Sequence, residues 1–207
     1  MSYPSAWGLS YEEVMSLTWL AYRGQGTSGT WNFPNAGSSW TIGGNDVHEA
    51  GSFRAVLVNG RKRVLSLSGT DDGGDWVDNV AQGLTGISEQ YLRAARLARA
   101  TSPDLVVGHS LGGGMASYCA IYGGRYAATI NPAPLNINLA SGIAMLRNGG
   151  RVINYVAPGE VLDLLDTAAV LMSKVGRTIP VATTGGFDPI ARHGIGNLVG
   201  FVAPVKS

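Results

Sequence analysis

Ser110 lies at the centre of Gly108-His109-Ser110-Leu111-Gly112, a segment with the G-x-S-x-G pattern. An apolar stretch comes directly before this segment, and a stretch of small residues follows it. In this pattern the serine occupies a strained strand-to-helix turn, and the glycines leave the space that the backbone needs there. The pattern therefore predicts a serine nucleophile, with the Leu111 N–H at the helix start as one donor to an oxyanion.

A serine hydroxyl needs a base to take its proton, and the chain contains three histidines. His109 adjoins the serine at the end of a predicted strand, so we expect its side chain to point away from the hydroxyl and to have a packing role. His48 lies in a glycine-rich stretch, where it could be an ordinary surface histidine. His193 comes after the last plausible acid, which reproduces the order serine, acid, histidine of α/β-hydrolases. We therefore predict His193 as the base.

The acid that orients the histidine should follow a strand downstream of the nucleophile helix. Residues 151–156 form such a predicted strand, and Glu160 lies in the loop after it, which makes Glu160 the leading candidate. Asp163 is the second candidate, with Asp166 one helical step beyond it, whereas Asp188 lies only five residues before His193. An alternative interpretation is that these acids simply cap a helix that begins near residue 161.

The elements around these residues alternate between strand and helix. An opening helix at 11–22 carries a capping box formed by Ser10 and Glu13. Residues 24–51, rich in Gly, Ser and Asn, are predicted to be loop with short strand. Strands at 52–58 and 61–68 flank Asn59 and Gly60, a pair that favours a two-residue hairpin turn with positive φ. The later elements are predicted as helix 87–100, strand 104–108, helix 110–122, strand 126–130, helix 139–147, strand 151–156 and helix 161–174.

This alternation predicts an α/β fold of the α/β-hydrolase type, with a mostly parallel central sheet, helices on both faces and an N-terminal antiparallel hairpin. The chain has 207 residues, so we expect a single domain over 1–207. Cys119 is the only cysteine, which excludes an intramolecular disulfide, and it lies in an apolar helical stretch where we expect a core filler rather than a catalytic thiol.

Charge and apolar patterning exclude several function classes. Lys and Arg are scattered and the formal net charge is +1, so no basic stripe suits nucleic acid. We find neither a Sec signal peptide at the start nor an apolar run of transmembrane length, which favours a cytoplasmic protein or export by a route that needs no signal peptide. The apolar fraction of 45% against 14% charged residues suggests some exposed apolar surface.

Four segments, taken in order over residues 64–193, resemble the class 3 lipase family, the fungal-type lipases and their bacterial relatives. They are Leu67-Ser68-Gly69-Thr70 with Asp75-Trp76-Val77-Asp78-Asn79, the elbow at 108–113, Ala128-Thr129-Ile130-Asn131-Pro132, and Val152-Ile153-Asn154-Tyr155-Val156 with Gly159-Glu160-Val161. In the first segment Ser68 replaces the family's usual arginine, and at position 160 relatives more often carry aspartate. The resemblance implies an α/β-hydrolase that cleaves lipid esters.

The resemblance also implies roles for the residues after the first of these segments. Thr70 would be the second oxyanion residue, and residues 73–80, with Asp75 and Trp76, would form a mobile lid, although Trp76 could equally be a core residue. A calcium loop formed by Asp71, Asp72 and Asp75 is an alternative to a solvated turn, but the spacing does not fit an EF-hand. The apolar segment 161–172 could line an acyl-binding wall.

Together these features predict a serine carboxylesterase, a lipase or phospholipase, that works through an acyl-enzyme without a metal or organic cofactor. Its partners would be a lipid or small ester substrate and, transiently, a lipid interface. An acyltransferase or thioesterase with the same triad and a catalytically silent binding module are the alternatives. A toxin delivered into other cells, with a cognate inhibitor protein, is a further one.

Overall fold

The computed structural model describes residues 3–24, 26–69, 89–136, 139–163 and 172–207. The first helix, α1, spans Tyr11–Leu20 and continues as a short 3-10 turn, Ala21–Arg23. Ser10 accepts a hydrogen bond from the Glu13 N–H, and the Glu13 carboxylate accepts one from the Ser10 N–H. The predicted capping box is thereby confirmed.

Eleven strands are described. They are β1 (Gly29–Phe33), β2 (Ser38–Ala50), β3 (Phe53–Asn59), β4 (Arg63–Leu67), β5 (Leu105–His109), β6 (Ala127–Ile130), β7 (Leu135–Asn136), β8 (Val152–Val156), β9 (Met172–Ser173), β10 (Arg177–Pro180) and β11 (Val205–Lys206). The further α-helices are α2 (Glu89–Thr101), α3 (Leu111–Gly123), α4 (Leu139–Asn148) and α5 (Pro189–His193).

Nine strands form one mixed sheet in the order β10-β8-β6-β5-β4-β3-β2-β1-β11. The five strands from β10 to β4 are parallel to their neighbours, and those from β4 to β11 pair antiparallel. β7 and β9 pair separately as a small antiparallel sheet. The expected parallel core is confirmed, although the antiparallel part extends well beyond one hairpin.

Helices cover both faces of the parallel core, as the alternation predicts. On β5, Val107 packs with α1 residues such as Leu17 in one cluster of buried side chains. Its neighbour Val106 faces the opposite way and packs with Ala94 of α2 and Met115 of α3. Successive side chains of a strand alternate between the faces, so a short apolar strand such as β5 is buried on both.

Three local predictions are wrong. The segment 24–51 contains β1 and the thirteen-residue β2 rather than mainly loop. β3 and β4 pair at Asn59 and Arg63, so three residues rather than two join them, and neither Asn59 nor Gly60 has a positive φ. Residues 161–163 are helical, but the predicted helix does not continue to Lys174, because β9 lies at Met172–Ser173.

Packing, and not the backbone conformation of the turn, explains the glycine at position 60. A Cβ atom there would overlap the Trp40 ring, which is buried against this end of the hairpin. The Asn-Gly pair therefore does not dictate the turn geometry here, because tertiary contact with an indole accounts for the glycine.

Candidate active site

Ser110 links the last residue of β5 to the first residue of α3. Its backbone has φ +58° and ψ −127°, a conformation that residues with a Cβ seldom adopt. The residue is buried. Such local strain persists only where the surrounding structure enforces it, and it is typical of functional turns.

The two glycines of the elbow are required by their surroundings. A Cβ on Gly108 would overlap the backbone of Gly112, and a Cβ on Gly112 would overlap the backbone of Leu67 and Ser68 at the end of β4. The prediction that larger side chains would collide with neighbouring backbone at these positions is thereby confirmed. The backbone path of the turn is thus fixed by close contacts among β4, β5 and α3.

His193 and Glu160 form a buried pair. His193 is the last residue of α5, and its Nδ1 lies 2.6 Å from Oε2 of Glu160, which follows β8 and is fully buried. The same carboxylate oxygen accepts the Leu162 N–H at 2.9 Å, so Glu160 also caps the helical residues 161–163. A carboxylate accepts hydrogen bonds, so the proton of a neutral imidazole lies on Nδ1 and its lone pair on Nε2.

Asp163, the second candidate acid, interacts with Lys174. The Lys174 Nζ lies 3.0 Å from Oδ1 of Asp163 and 3.3 Å from Oε1 of Glu160, and its side chain is almost entirely buried. Oδ2 of Asp163 accepts the Gly159 N–H at 3.0 Å. An ammonium group therefore bridges the two candidate acids, and on Glu160 it contacts Oε1, whereas His193 contacts Oε2. The sequence gives no signal for Lys174, which was expected inside a helix.

His109 has more than a packing role. Its Nδ1 lies 2.7 Å from the Tyr22 hydroxyl, its Nε2 lies 2.8 Å from the His193 carbonyl oxygen, and its ring is 4.6 Å from the His193 ring. Burial, with a smaller contribution from the neighbouring His193, lowers the pKa of His109 to about 3. His109 is therefore neutral at ordinary pH and sits beside the histidine predicted as the base.

The depressed pKa of His109 predicts how stability responds to acid. Unfolding restores an ordinary histidine pKa near 6.5, so between about pH 6.5 and pH 3 the unfolded state binds more protons. The contribution of His109 to stability is thus complete above about pH 6.5 and is lost as the pH falls. We expect the free energy of unfolding, measured by urea titration at several pH values, to fall more steeply for the wild type than for His109→Gln. Parallel pH dependences would contradict this.

The residues predicted for the oxyanion hole lie partly within the described ranges. Leu111 is the first residue of α3, where helix geometry leaves N–H groups without an acceptor inside the helix. Gly69 packs against Ser110, since a Cβ on Gly69 would lie 3.0 Å from the Cβ of Ser110, and Thr70 is the next residue. Other predicted sites lie outside the described ranges: Thr70, Asp71, Asp72, Asp166, the whole predicted lid 73–80 with Asp75 and Trp76, and residues 164–171 of the predicted acyl-binding wall.

Other candidates have structural roles or lie elsewhere. His48 is on the long strand β2 and not in a loop. Asp188 caps α5 by accepting the Ile190 N–H at 2.9 Å. Cys119 is buried in the core, and burial raises the pKa of its thiol to about 12, so the core-filler prediction is confirmed.

Within the described part of the chain, no helix has the length and apolar character needed to cross a bilayer.

Sequence comparisons add evidence that is independent of this geometry. A model of the Tle-like phospholipase domain matches residues 32–195. An extracellular phospholipase A1 of Serratia liquefaciens is 42% identical over 95 residues, which are 42% of this chain and 30% of that protein. A monoacylglycerol lipase of Mycolicibacterium smegmatis is 34% identical over 96 residues, 45% of this chain and 32% of that protein. The chain thus spans about a third of the length of these curated relatives.

The comparisons confirm the predicted relation only in general terms, as a relation to lipases and phospholipases. Because the family model covers well over half of the chain, the chain belongs to the Tle-like phospholipase domain family.

Proposed function

We propose that the chain is a serine hydrolase of the α/β-hydrolase type that cleaves a carboxylic ester of a lipid. The observation that carries this proposal is the buried His193–Glu160 pair, with 2.6 Å between Nδ1 and Oε2, at the same edge of the sheet as the strained turn at Ser110. The carboxyl ends of parallel strands meet at one edge, so residues that follow β5, β8 and β10 converge there.

The reaction has two acyl-transfer steps. Oγ of Ser110 attacks the ester carbonyl while Nε2 of His193 takes the hydroxyl proton, and the tetrahedral intermediate then expels the alcohol, which receives that proton. Water then attacks the acyl carbon while Nε2 of His193 takes one of its protons. The second tetrahedral intermediate breaks the bond to Oγ, the fatty acid leaves, and His193 returns the proton to Oγ of Ser110. Glu160 holds the imidazole by Nδ1 and stabilises its charged form. The N–H groups of Leu111 and Thr70 donate to the oxyanion in both steps.

The substrate class comes from the family and the relatives. A phospholipase-like domain and a phospholipase A1 relative favour an acyl ester of a glycerophospholipid, and the monoacylglycerol lipase relative favours a neutral glyceride. We take the phospholipid as the first substrate to test. The resemblance to class 3 lipases supports a gating role for residues 73–80, with Asp75 and Trp76, and this role remains a prediction.

The test combines turnover with covalent labelling. Purified protein and Ser110→Ala are compared on p-nitrophenyl esters of increasing acyl length, on phosphatidylcholine vesicles and on a monoacylglycerol, and both are treated with a fluorophosphonate. We expect hydrolysis that depends on Ser110 and a phosphonate adduct that peptide mass spectrometry places on Ser110. If no ester is cleaved and Ser110 is not labelled, the binding-module alternative replaces the proposal. Transfer of the acyl group to an added alcohol rather than to water would indicate an acyltransferase.

A further inference from the structure

A chain of buried and partly buried hydrogen bonds connects the end of β4 with the main chain of His193. The Gly69 N–H donates to the Tyr22 hydroxyl oxygen at 2.9 Å, the Tyr22 hydroxyl lies 2.7 Å from Nδ1 of His109, and Nε2 of His109 lies 2.8 Å from the His193 carbonyl. Tyr22 belongs to the 3-10 turn after α1. The chain therefore links three distant parts of the sequence to the residue predicted as the base.

The direction of every bond in this chain is determined. A carbonyl oxygen can only accept, so the proton of the neutral His109 ring lies on Nε2 and points at His193. Nδ1 of His109 must then accept, which makes the Tyr22 hydroxyl its donor. That leaves the lone pairs of the Tyr22 oxygen to accept the Gly69 N–H. The Tyr22 hydroxyl also lies 3.4 Å from the His109 carbonyl oxygen, a longer contact than the 2.7 Å to Nδ1. Reversing a link of the chain would leave a donor or an acceptor of the network without its partner.

A second buried side chain donates to the same carbonyl oxygen. Asn131, which follows β6 with φ +41°, donates its Nδ2–H to the His193 carbonyl at 2.8 Å and more weakly to the Arg192 carbonyl at 3.3 Å. Its Oδ1 accepts the Ala157 N–H at 2.8 Å, in the loop that leads to Glu160. Asn131 therefore ties the end of α5 to the loop that carries the acid.

We propose that Tyr22, His109 and Asn131 are positioning residues that fix the main chain of His193 between the β4 end and the Glu160 loop. This inference rests on the proposed function. Two donors converge on one carbonyl, and that carbonyl belongs to the proposed base itself, so the network fixes the main chain that carries the His193 imidazole. Through Gly69 it also holds the strand end that precedes Thr70. A displacement of about 1 Å in a catalytic group can lower the rate roughly 10²-fold.

The test uses a matched pair of substitutions. Tyr22→Phe and Tyr155→Phe each remove one tyrosine hydroxyl that makes a partly buried hydrogen bond. Tyr155 serves as the control, because its hydroxyl donates to the Pro4 carbonyl at 2.6 Å and not to the network at His193. We expect similar losses of thermal stability in both variants. Only Tyr22→Phe should lower kcat for a soluble ester, by about tenfold or more, with KM within about twofold, because alignment and not substrate binding is impaired.

A second pair tests His109 itself. His109→Gln keeps one donor for the His193 carbonyl and one acceptor for the Tyr22 hydroxyl, whereas His109→Leu keeps neither. We expect His109→Gln to recover most of the kcat that His109→Leu loses. A purely structural role would instead make kcat follow thermal stability across all four variants. If His109→Leu does not fold, the tyrosine pair decides the question.

The outcomes separate this inference from the proposed function. Wild-type turnover with equal kcat for Tyr22→Phe and Tyr155→Phe would overturn the positioning role and leave the hydrolase standing. A wild type that neither hydrolyses esters nor takes the phosphonate label on Ser110 would overturn the hydrolase, and the positioning role with it.

Discussion

Replacing Glu160 by glutamine should lower kcat for a soluble ester by about 10³- to 10⁴-fold while KM changes little. Oε2 of Glu160 lies 2.6 Å from Nδ1 of His193, and it also accepts the Leu162 N–H. A glutamine whose carbonyl oxygen takes the place of Oε2 keeps both bonds, but it turns its NH2 group toward Lys174 and carries no charge to stabilise the imidazolium. In the opposite orientation it presents an N–H to Nδ1, which favours the wrong tautomer. Initial rates on a p-nitrophenyl ester measure the effect.

The matched control is Asp163→Asn, the same loss of charge three residues away. Asp163 pairs with Lys174 and is about a third exposed, so we expect a decrease in kcat of less than about fivefold. Thermal unfolding of both variants shows that each is folded under the assay conditions. A larger effect of Asp163→Asn than of Glu160→Gln would move the role of the triad acid to Asp163.

Lys174→Met should destabilise the protein by about 3–5 kcal/mol, because removing one partner of a buried ion pair leaves the other charge uncompensated. The Lys174 ammonium lies 3.3 Å from Oε1 of Glu160, which is fully buried, and methionine keeps most of the apolar stem. Urea unfolding at neutral pH measures the loss, which we expect to exceed that of any single surface substitution.

A double-mutant cycle separates charge from packing in this prediction. In a Glu160→Gln background the buried partner is neutral, so Lys174→Met should cost much less than in the wild type. An equal cost in both backgrounds would mean that the stability comes from the packing of the lysine stem and not from its charge. Asp163, the more exposed partner, contributes to the residual cost in either case.

Much of the parallel core was predictable from local patterns. The strand before Ser110 and the helix after it lie within one residue of the predicted bounds, because an apolar run buried on both faces and a run of small residues leave little ambiguity. Ser110, Glu160 and His193 could be proposed from motif, order and loop position. The structure adds the contact between Glu160 and His193, which fits that choice of acid and base.

The remaining features depend on contacts between distant parts of the chain. β2 alternates between buried and exposed positions only around Trp40 and Ile42, and the register shift between Ile42 and Val47 interrupts the pattern. Tyr22 carries no local signal, since it acquires its role from His109, 87 residues away in sequence. Lys174 has its partners 14 and 11 residues before it, but they meet it only because the predicted helix does not continue to Lys174. Thr70 lies outside the described residues, so its predicted place in the oxyanion hole stays a prediction.

The order of the strands also bears on how a folding chain acquires a competent site. Ser110, Asn131, Glu160 and His193 follow β5, β6, β8 and β10, four successive neighbours in the sheet, and among the described strands β10 pairs with β8 alone. Parallel strand pairs form late in folding, because the long connections between the strands must close before the pairs can stabilise the fold. A chain that has folded everything except the β10 edge would have Ser110, the proposed nucleophile, in place, but His193, the proposed base, would not yet lie at the site. If Ser110 and His193 have the proposed roles, the serine would become a competent nucleophile only when the fold is complete.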